Sequence, residues 1–220
     1  LDRVVVKQGV VVIGPLCTLQ RLVDERKVPA GLRAAAAQLV SRNVREMATL
    51  GGHLASNPPY SDLIPMLIAL DAKLGLSRPG TAKTILVADY VAKPTAGLIT
   101  KIVLPRPGAG RVAACRNMRA TASARSIVSA ALSVTIVRNA VKCPIIAVGG
   151  VAGHVVRLTA VEDALDGRSL PSMDELQALA SRAVRPAGDL SGSAAFRKYQ
   201  AGVVVALALR DAIGQKRGRS

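Results

Sequence analysis

The sequence predicts an α+β protein built in two units. Half of its 220 residues are hydrophobic, which is enough to bury a sizeable core. β-Branched runs typical of strands are interspersed with alanine- and leucine-rich stretches of helical spacing. A proline- and glycine-rich segment at residues 105–110 separates the two halves and is typical of a linker. We therefore expect one unit at residues 1–107 and a second at residues 108–220.

The first unit is expected to open with a β-hairpin, because two β-branched runs flank the turn-forming pair Gln8-Gly9. Asp62 is expected to cap a helix, since apolar residues recur at helical spacing after it. The remaining assignments follow the same patterns. In chain order they are strands at 3–7 and 10–13, a helix at 32–40, an irregular stretch at 43–61, the helix after Asp62, and strands at 84–87 and 98–104.

The second unit is expected to hold strands first and helices last. Strands are predicted at 111–119, 127–137, 144–148 and, more weakly patterned, 155–158. Ser172 followed by Glu175 is a capping-box pattern, which predicts a helix to about residue 184. Ser193 is expected to cap a longer helix to residue 213 that is apolar nearly all round over residues 203–209, so this helix should be buried.

Composition narrows the classes of function. The chain carries 30 Lys and Arg against 14 Asp and Glu, a formal net charge of +16, which favours anionic partners. Between Tyr90 and Val161 there is no acidic residue, and a solvated basic face is the simplest interpretation of that stretch. Aromatic residues make up only 2% of the chain, which argues against binding single-stranded nucleic acid by base stacking. No apolar run approaches the ~18 residues of a membrane span.

The cysteines and histidines predict neither a disulfide framework nor a metal site. Cys17, Cys115 and Cys143 are far apart, and the only histidines are His53 and His154. This spacing matches no zinc or iron–sulfur motif, and isolated thiols fit a reducing cytoplasm. Because the chain starts at Leu1 and shows no charged-then-apolar leader, no signal peptide is expected, and an upstream segment is expected to be absent.

The most suggestive local motif is Thr49-Leu-Gly-Gly-His53 followed by Asp62. Paired glycines allow backbone N–H groups to approach a phosphate closely, and a hydroxyl at Thr49 or Ser56 adds a donor. A carboxylate nine residues later could accept hydrogen bonds from ribose hydroxyls. The plainer interpretation is a Gly-Gly turn and a helix cap, so the motif alone leaves both open. No general acid–base pair or nucleophile motif is present, and no catalytic residue is predicted.

Five segments, taken in order, resemble the FAD-binding medium subunit of the molybdenum hydroxylases, the family of xanthine dehydrogenase and aerobic carbon monoxide dehydrogenase. Residues 44–53, VREMATLGGH, are similar to the family's "(I/V)RN-x-x-(T/S)-(I/L)-GG-(N/D)" segment. Residues 61–72, SDLIPMLIALDA, are similar to "(A/S)DL-x-PAL-x-ALDA". Residues 9–18 resemble "GGLRIGALTT", residues 147–152 resemble "ALGGVAPTP", and residues 188–197 resemble a "D-x-x-(A/G)S-x-x-YR" helix start.

The resemblance implies an FAD site formed by two glycine loops. The first loop of the family lies upstream of the segment where this chain begins and is expected to be missing. The second is residues 49–53, which by resemblance supports the FAD pyrophosphate. The positions that the resemblance assigns to FAD are Thr49, Leu50, Gly51, Gly52, His53, Ser56, Asp62, Ile99 and Arg116. Two residues of the 44–53 segment depart from the family pattern: Glu46 replaces Asn, and His53 replaces Asn or Asp, although a histidine ring can still donate a hydrogen bond.

By the same resemblance, this is an oxidoreductase subunit that takes electrons from the [2Fe–2S] clusters of a small partner subunit onto FAD. An external acceptor, either NAD, a quinone or oxygen, then receives them. Molybdopterin is expected on a large partner subunit, in a cytoplasmic dimer of heterotrimers. A function of another class stays open, namely a non-catalytic basic module that binds RNA or an acidic protein. Nucleic acid is not the partner we expect.

Overall fold

Two antiparallel sheets form the framework of the protein in a computed structural model that describes residues 1–39, 41–122 and 124–217. The first sheet has the strand order β1-β2-β5-β3-β4, and the second has the order β6-β7-β8-β9. The strands of the first sheet are β1 (Val4–Lys7), β2 (Val10–Ile13), β3 (Lys73–Arg78), β4 (Thr81–Leu86) and β5 (Leu98–Leu104). The strands of the second are β6 (Arg111–Arg119), β7 (Ser126–Val137), β8 (Ala140–Gly149) and β9 (Val156–Arg157). The α+β class is confirmed.

Helices cover both sheets. Those of the first unit are α1 (Leu19–Asp24), α2 (Ala30–Ala37), α3 (Arg42–Met47), α4 (Leu50–Ser56), α5 (Leu63–Ala69) and α6 (Val87–Ala92). Those of the second are α7 (Thr159–Leu165), α8 (Met173–Ala183) and α9 (Ala194–Arg217). Within these described residues, no helix has the length and apolarity needed to cross a membrane.

Helix α5 joins the two units, because it belongs to the first unit and packs on the second sheet. All seven of its residues are buried. Two serines of β7 hold its ends: the Ser129 hydroxyl donates to the Ser61 carbonyl at 2.7 Å, and the Ser133 hydroxyl donates to the Ala69 carbonyl. The apolar core of the first unit consequently extends to Ala131 and Ala147 in the second sheet.

Most strands lie where the sequence predicts them. The opening hairpin turns at Gln8 and Gly9, whose φ angles of 51° and 80° are those of a tight left-handed turn. Strand β5 and strand β6 have the predicted bounds. The prediction at 84–87 was wrong by several residues, because β4 starts at Thr81, where it pairs with the unpredicted strand β3, and Val87 already begins α6.

The stretch expected to be irregular, residues 43–61, is instead largely helical. Side-chain hydroxyls explain the difference, because Ser41 and Thr49 each accept a hydrogen bond from a backbone N–H three residues ahead, at 3.5 Å and 3.1 Å. Such caps satisfy donors that a helix start otherwise leaves unpaired. They outweigh the poor helix propensity of the two glycines that open α4. The predicted helix at 32–40 is α2, and residue 40 lies outside the described residues.

The predicted cap at Asp62 was also wrong. The Ser61 hydroxyl accepts from the N–H groups of Leu63 and Ile64 at 3.1 Å and 2.9 Å, whereas the Asp62 side chain makes no capping bond. In the second unit both predicted caps are confirmed. Ser172 and Glu175 form the capping box of α8, and Ser193 caps α9 by accepting from the Phe196 N–H.

Candidate functional site

The predicted glycine motif forms the first turn of α4. Gly51 faces inward, and a Cβ placed on it would lie 2.6 Å from the Pro15 side chain, so packing excludes any larger residue. Gly52 faces outward, and a Cβ there would meet only the Thr49 hydroxyl oxygen, at 3.0 Å. The two glycines therefore serve different purposes: the first allows close packing, and the second leaves the outer surface of the turn open.

The backbone donors of this turn are mostly used within the chain, which corrects the sequence-based interpretation. The Leu50 and Gly51 N–H groups donate to the carbonyls of Cys17 and Pro15, at 2.9 Å and 2.8 Å. The Gly52 N–H donates to the Thr49 hydroxyl. The groups left to bind an anion are the Thr49 hydroxyl proton and the exposed edge at Gly52, rather than a cradle of free N–H groups.

His53 is held in one protonation state. Its Nε2 lies 2.7 Å from the Ser61 hydroxyl, which already accepts two backbone hydrogen bonds at the start of α5. That hydroxyl has only its proton left, so it donates to Nε2, and the ring proton must sit on Nδ1. Burial lowers the pKa of His53 to about 4. At neutral pH the ring is therefore uncharged, with Nδ1–H as its only donor.

Asp62 lies in a buried polar cluster between the two units. It is only 5% exposed, and its carboxylate accepts from Arg119 and Ser126 at 2.5 Å and from Asn117 at 3.1 Å. Arg119 also donates to the Gln38 carbonyl. Burial raises the pKa of Asp62, while the Ser126 hydrogen bond and the Arg119 charge lower it. A ribose hydroxyl would have to displace one of these donors.

Tyr60, two residues before Asp62, is fixed to the second unit in a comparable way. Its hydroxyl donates to Asp189 at 2.7 Å, and the guanidinium of Arg125 stacks 4.5 Å from the ring centroid. Asp189 in turn pairs with Arg197, which is 1% exposed and donates to the carbonyls of Ile127 and Gly150. Residues 60–62 are consequently positioned by the second unit, although the chain places them in the first.

The structure brings together some of the predicted site residues and separates others. Residues 49–53 and Ser56 share α4 and its cap, and the Ser56 hydroxyl donates to the His53 carbonyl at 3.0 Å. Ile99 is buried in β5. The pairing of β2 with β5 ends at Ile13, so Ile99 lies beyond the part of β5 that β2 covers. Arg116 was predicted beside the cofactor, but its guanidinium pairs with Asp211 of α9, on the other face of β6 from Asp62.

Sequence reasoning missed Asn117 and Arg119, the two β6 residues that reach Asp62. The signal was available, because side chains alternate between the faces of a strand. Cys115, Asn117 and Arg119 share the face toward Gln38 and Asp62, and Arg116 must face away. Burial raises the pKa of Cys115 to about 11, so this thiol is not a nucleophile at neutral pH.

Two family models cover nearly the whole chain. Residues 1–107 match the FAD binding domain in molybdopterin dehydrogenase, and residues 113–212 match the CO dehydrogenase flavoprotein C-terminal domain. Among curated proteins, the uncharacterized protein YgfM of Escherichia coli K12 is 37% identical over 94% of this chain and 74% of its own length. The carbon monoxide dehydrogenase medium chain of Afipia carboxidovorans is 27% identical over 96% of this chain and 75% of its own.

Solved structures agree with these matches. Carbon monoxide dehydrogenase from Hydrogenophaga pseudoflava is 25% identical and superimposes with a TM-score of 0.89, over 97% of this chain and 78% of that one. Quinoline 2-oxidoreductase from Pseudomonas putida 86 is 18% identical, and its TM-score of 0.87 shows that it has the same fold. The models, the relatives and the structures concur, and the chain belongs to the family of FAD-binding subunits of the molybdopterin-containing dehydrogenases, a family of oxidoreductases.

Proposed function

We propose that this chain is the flavoprotein subunit through which a molybdenum hydroxylase delivers electrons to an external acceptor. The observation that carries the proposal is the match of residues 1–107 to an FAD-binding domain, combined with the open outer surface at Gly52. Bound FAD would supply the means to accept two electrons and release them singly or in pairs. The chain itself would bind, orient and shield it.

The residues around α4 fit the phosphate end of such a cofactor. The Thr49 hydroxyl proton, the His53 Nδ1–H and the exposed Gly52 surface offer uncharged donors and close approach. Uncharged donors are suitable because they bind an oxyanion without a change of protonation near neutral pH. Leu50 and Gly51 would contribute by packing, and Ser56 by orienting the end of α4. The edge of β5 at Ile99 would face the adenine or flavin ring.

Asp62 would act as a positioning residue in this scheme. Its ion pair with Arg119 fixes the start of α5, and the neighbouring Ser61 hydroxyl fixes the tautomer of His53. We retain Arg116 only as part of the basic surface, since its partner Asp211 holds it on the far face of β6. The flavin unit would comprise residues 1–107, and residues 108–220 would cover one side of it.

The partners follow from the family. We infer an iron–sulfur small subunit with [2Fe–2S] clusters as the electron donor and a molybdopterin large subunit as the site of substrate oxidation, assembled as a dimer of heterotrimers in the cytoplasm. The excess of positive charge on this chain would complement acidic surfaces on those subunits or attract an anionic acceptor such as NAD.

The test is the absorbance of the purified complex at about 450 nm, where oxidised flavin absorbs. Replacing Gly52 with Val should lower flavin content while the far-UV circular dichroism stays unchanged, because the new side chain occupies the surface that a pyrophosphate must approach. Gly214→Val is the matched control, since Gly214 is also a glycine within a helix, α9, and its surroundings are open. Normal flavin content in Gly52→Val would contradict the site. A purified complex without flavin would favour the non-catalytic binding module.

A further inference from the structure

We propose that the cavity between the interdomain linker and the second sheet is a binding site for a small organic anion, held by Arg111. The cavity lies at the C-terminal end of α5, whereas the candidate flavin site lies at the other end. The proposal does not depend on the flavin site and concerns residues that none of the flavin assignments use.

The cavity has the size and lining of a ligand site. Its volume is about 690 Å³, and ligand pockets in proteins usually measure roughly 300–1,000 Å³. Apolar side chains form much of its wall, among them Leu70, Leu104 and Ile145. Charged side chains from the linker and from Arg111, the first residue of β6, also line the cavity. This combination suits a molecule with an apolar body and one charged group.

Arg111 is held rigidly at this cavity. Its Nε and Nη2 donate to the Ser133 hydroxyl at 3.1 Å and 2.7 Å, and its Nη1 donates to the Cys143 carbonyl at 2.9 Å. A guanidinium has five N–H groups, so two remain available. Because these hydrogen bonds already order the guanidinium, the Arg111 side chain loses little conformational entropy when an oxyanion binds to it.

A comparison with Arg119, at the other end of the same strand, indicates what Arg111 lacks. Both guanidiniums donate through Nε to a β7 serine at 3.1 Å, and both donate to a backbone carbonyl. Arg119 is also ion-paired with Asp62. For Arg111, no carboxylate forms an ion pair among the residues that the structure describes. An exogenous carboxylate or phosphate would supply the missing partner.

The other charges near Arg111 leave the cavity positive. Glu162 pairs with Arg157, so these two cancel. Asp71 lines the cavity together with two cations, Arg111 and Arg106 of the linker, which outnumber it. Burial lowers the pKa of Arg111, and the charges of Cys143 and Asp71 only partly offset this effect. The carbonyl end of α5, which Ser133 contacts, adds a weak negative dipole and not a full charge.

Cys143 provides a direct reporter of occupancy. It lines the cavity, is exposed, and bonds to Arg111 through its carbonyl, whereas Cys17 is buried. In the purified protein, with any subunits that copurify, the rate of Cys143 alkylation by iodoacetamide would be followed by peptide mass spectrometry. Benzoate, phenyl phosphate and benzamide would be added in turn at constant ionic strength. These probes share an apolar ring and differ in carrying a carboxylate, a phosphate or a neutral amide.

Benzoate or phenyl phosphate should slow alkylation of Cys143, and benzamide should not. Which of the two acts at lower concentration identifies the preferred head group. Arg111→Gln should lower the affinity of the protecting anion by roughly tenfold, which is the loss expected for one charge-assisted contact. The exposed Arg182→Gln on α8 removes the same charge outside the cavity and should leave protection intact.

A second variant, Asp71→Asn, tests the proposal even if Arg111→Gln fails to fold. Asp71→Asn removes the acidic group of the cavity, and Asn tolerates the φ of 55° that Asp71 adopts. Protection by the anion should become stronger in this variant, with flavin content unchanged. Equal protection by benzamide, no protection by either anion, or an Asp71→Asn variant that protects less well would each overturn the proposal.

Discussion

The two ends of helix α5 meet the second sheet with nearly the same set of groups, yet only one end is electrostatically complete. At the first end, Arg119 and Ser126 enclose the carboxylate of Asp62. At the other, Arg111 donates to the Ser133 hydroxyl, which donates to the Ala69 carbonyl, and no carboxylate among the described residues forms an ion pair with Arg111. The closed end resembles the interior of a domain, and the open end resembles a ligand site. A single helix thus separates a residue cluster that serves stability from one that is free to serve binding.

The largest effect should come from breaking the closed end. Asp62→Ala leaves the largely buried Arg119 without its ion-pair partner, which typically costs about 3–5 kcal/mol of unfolding free energy. Chemical denaturation of the variant would measure this loss. The double variant Asp62→Leu with Arg119→Met should recover much of it, because apolar residues of similar size often replace a buried ion pair without penalty. A single variant as stable as the wild type would mean that water solvates the cluster and that the two ends do not differ.

The next effect concerns pH and His53, also at the closed end. The unfolded ring binds a proton below about pH 6.5 and the folded ring only below about 4, so the unfolded state holds more protons in between. Stability should therefore fall as the pH falls from 6.5 to 4, by about 3 kcal/mol at most. His53→Asn should flatten this part of the curve. His154→Asn removes the other histidine and is the matched comparison; equal flattening by both variants would assign the effect elsewhere.

A smaller effect should distinguish the two glycines. Gly51→Ala brings a Cβ against Pro15 and should cost about 1–3 kcal/mol, the usual range for overpacking a tight core. Gly52→Ala should change stability by less than about 1 kcal/mol, because helix propensity rises while only the Thr49 hydroxyl is crowded. Thermal melts of the two variants give the comparison directly. A larger loss at Gly52 than at Gly51 would reverse the roles given to them.

The smallest effect on stability is expected at the open end. Arg111→Gln removes hydrogen bonds from a half-buried group that neutralises no carboxylate, so unfolding free energy should fall by less than about 1 kcal/mol. This change should be several times smaller than that of Asp62→Ala in the same denaturation assay. If Arg111→Gln proved as damaging as Asp62→Ala, Arg111 would be a structural residue and the contrast between the two ends would disappear.

Much of the strand framework was predictable from the sequence, because alternation and β-branching act locally. The bounds of β5 and β6 and the capping box of α8 follow from neighbouring residues alone. The helices α3 and α4 were missed, because each depends on a single capping hydroxyl, Ser41 or Thr49. In α4 two glycines oppose the cap, and the packing of Gly51 on Pro15 is a tertiary contact that the local sequence does not show.

The candidate site was only partly accessible to sequence reasoning. The resemblance selected the α4 motif, and the structure does place those residues on one turn. The pairing of Asp62 with Arg119 spans 57 residues, so no local pattern could identify it. Arg116 and Arg119 illustrate a simpler limit: side chains alternate between the two faces of a strand, and a resemblance between short segments does not show which face is turned toward Asp62.

The burial of α5 also governs what a protease could do to this protein. Residues 105–108 have no regular secondary structure and are largely exposed, so they are a natural point for a nick. A cut there would sever the covalent connection, but α5 would still be enclosed by β7 and β8 and tied through Ser129, Ser133 and Arg119. The two fragments should therefore comigrate as one particle on gel filtration and separate only in denaturant, a behaviour that the two family boundaries alone would not suggest.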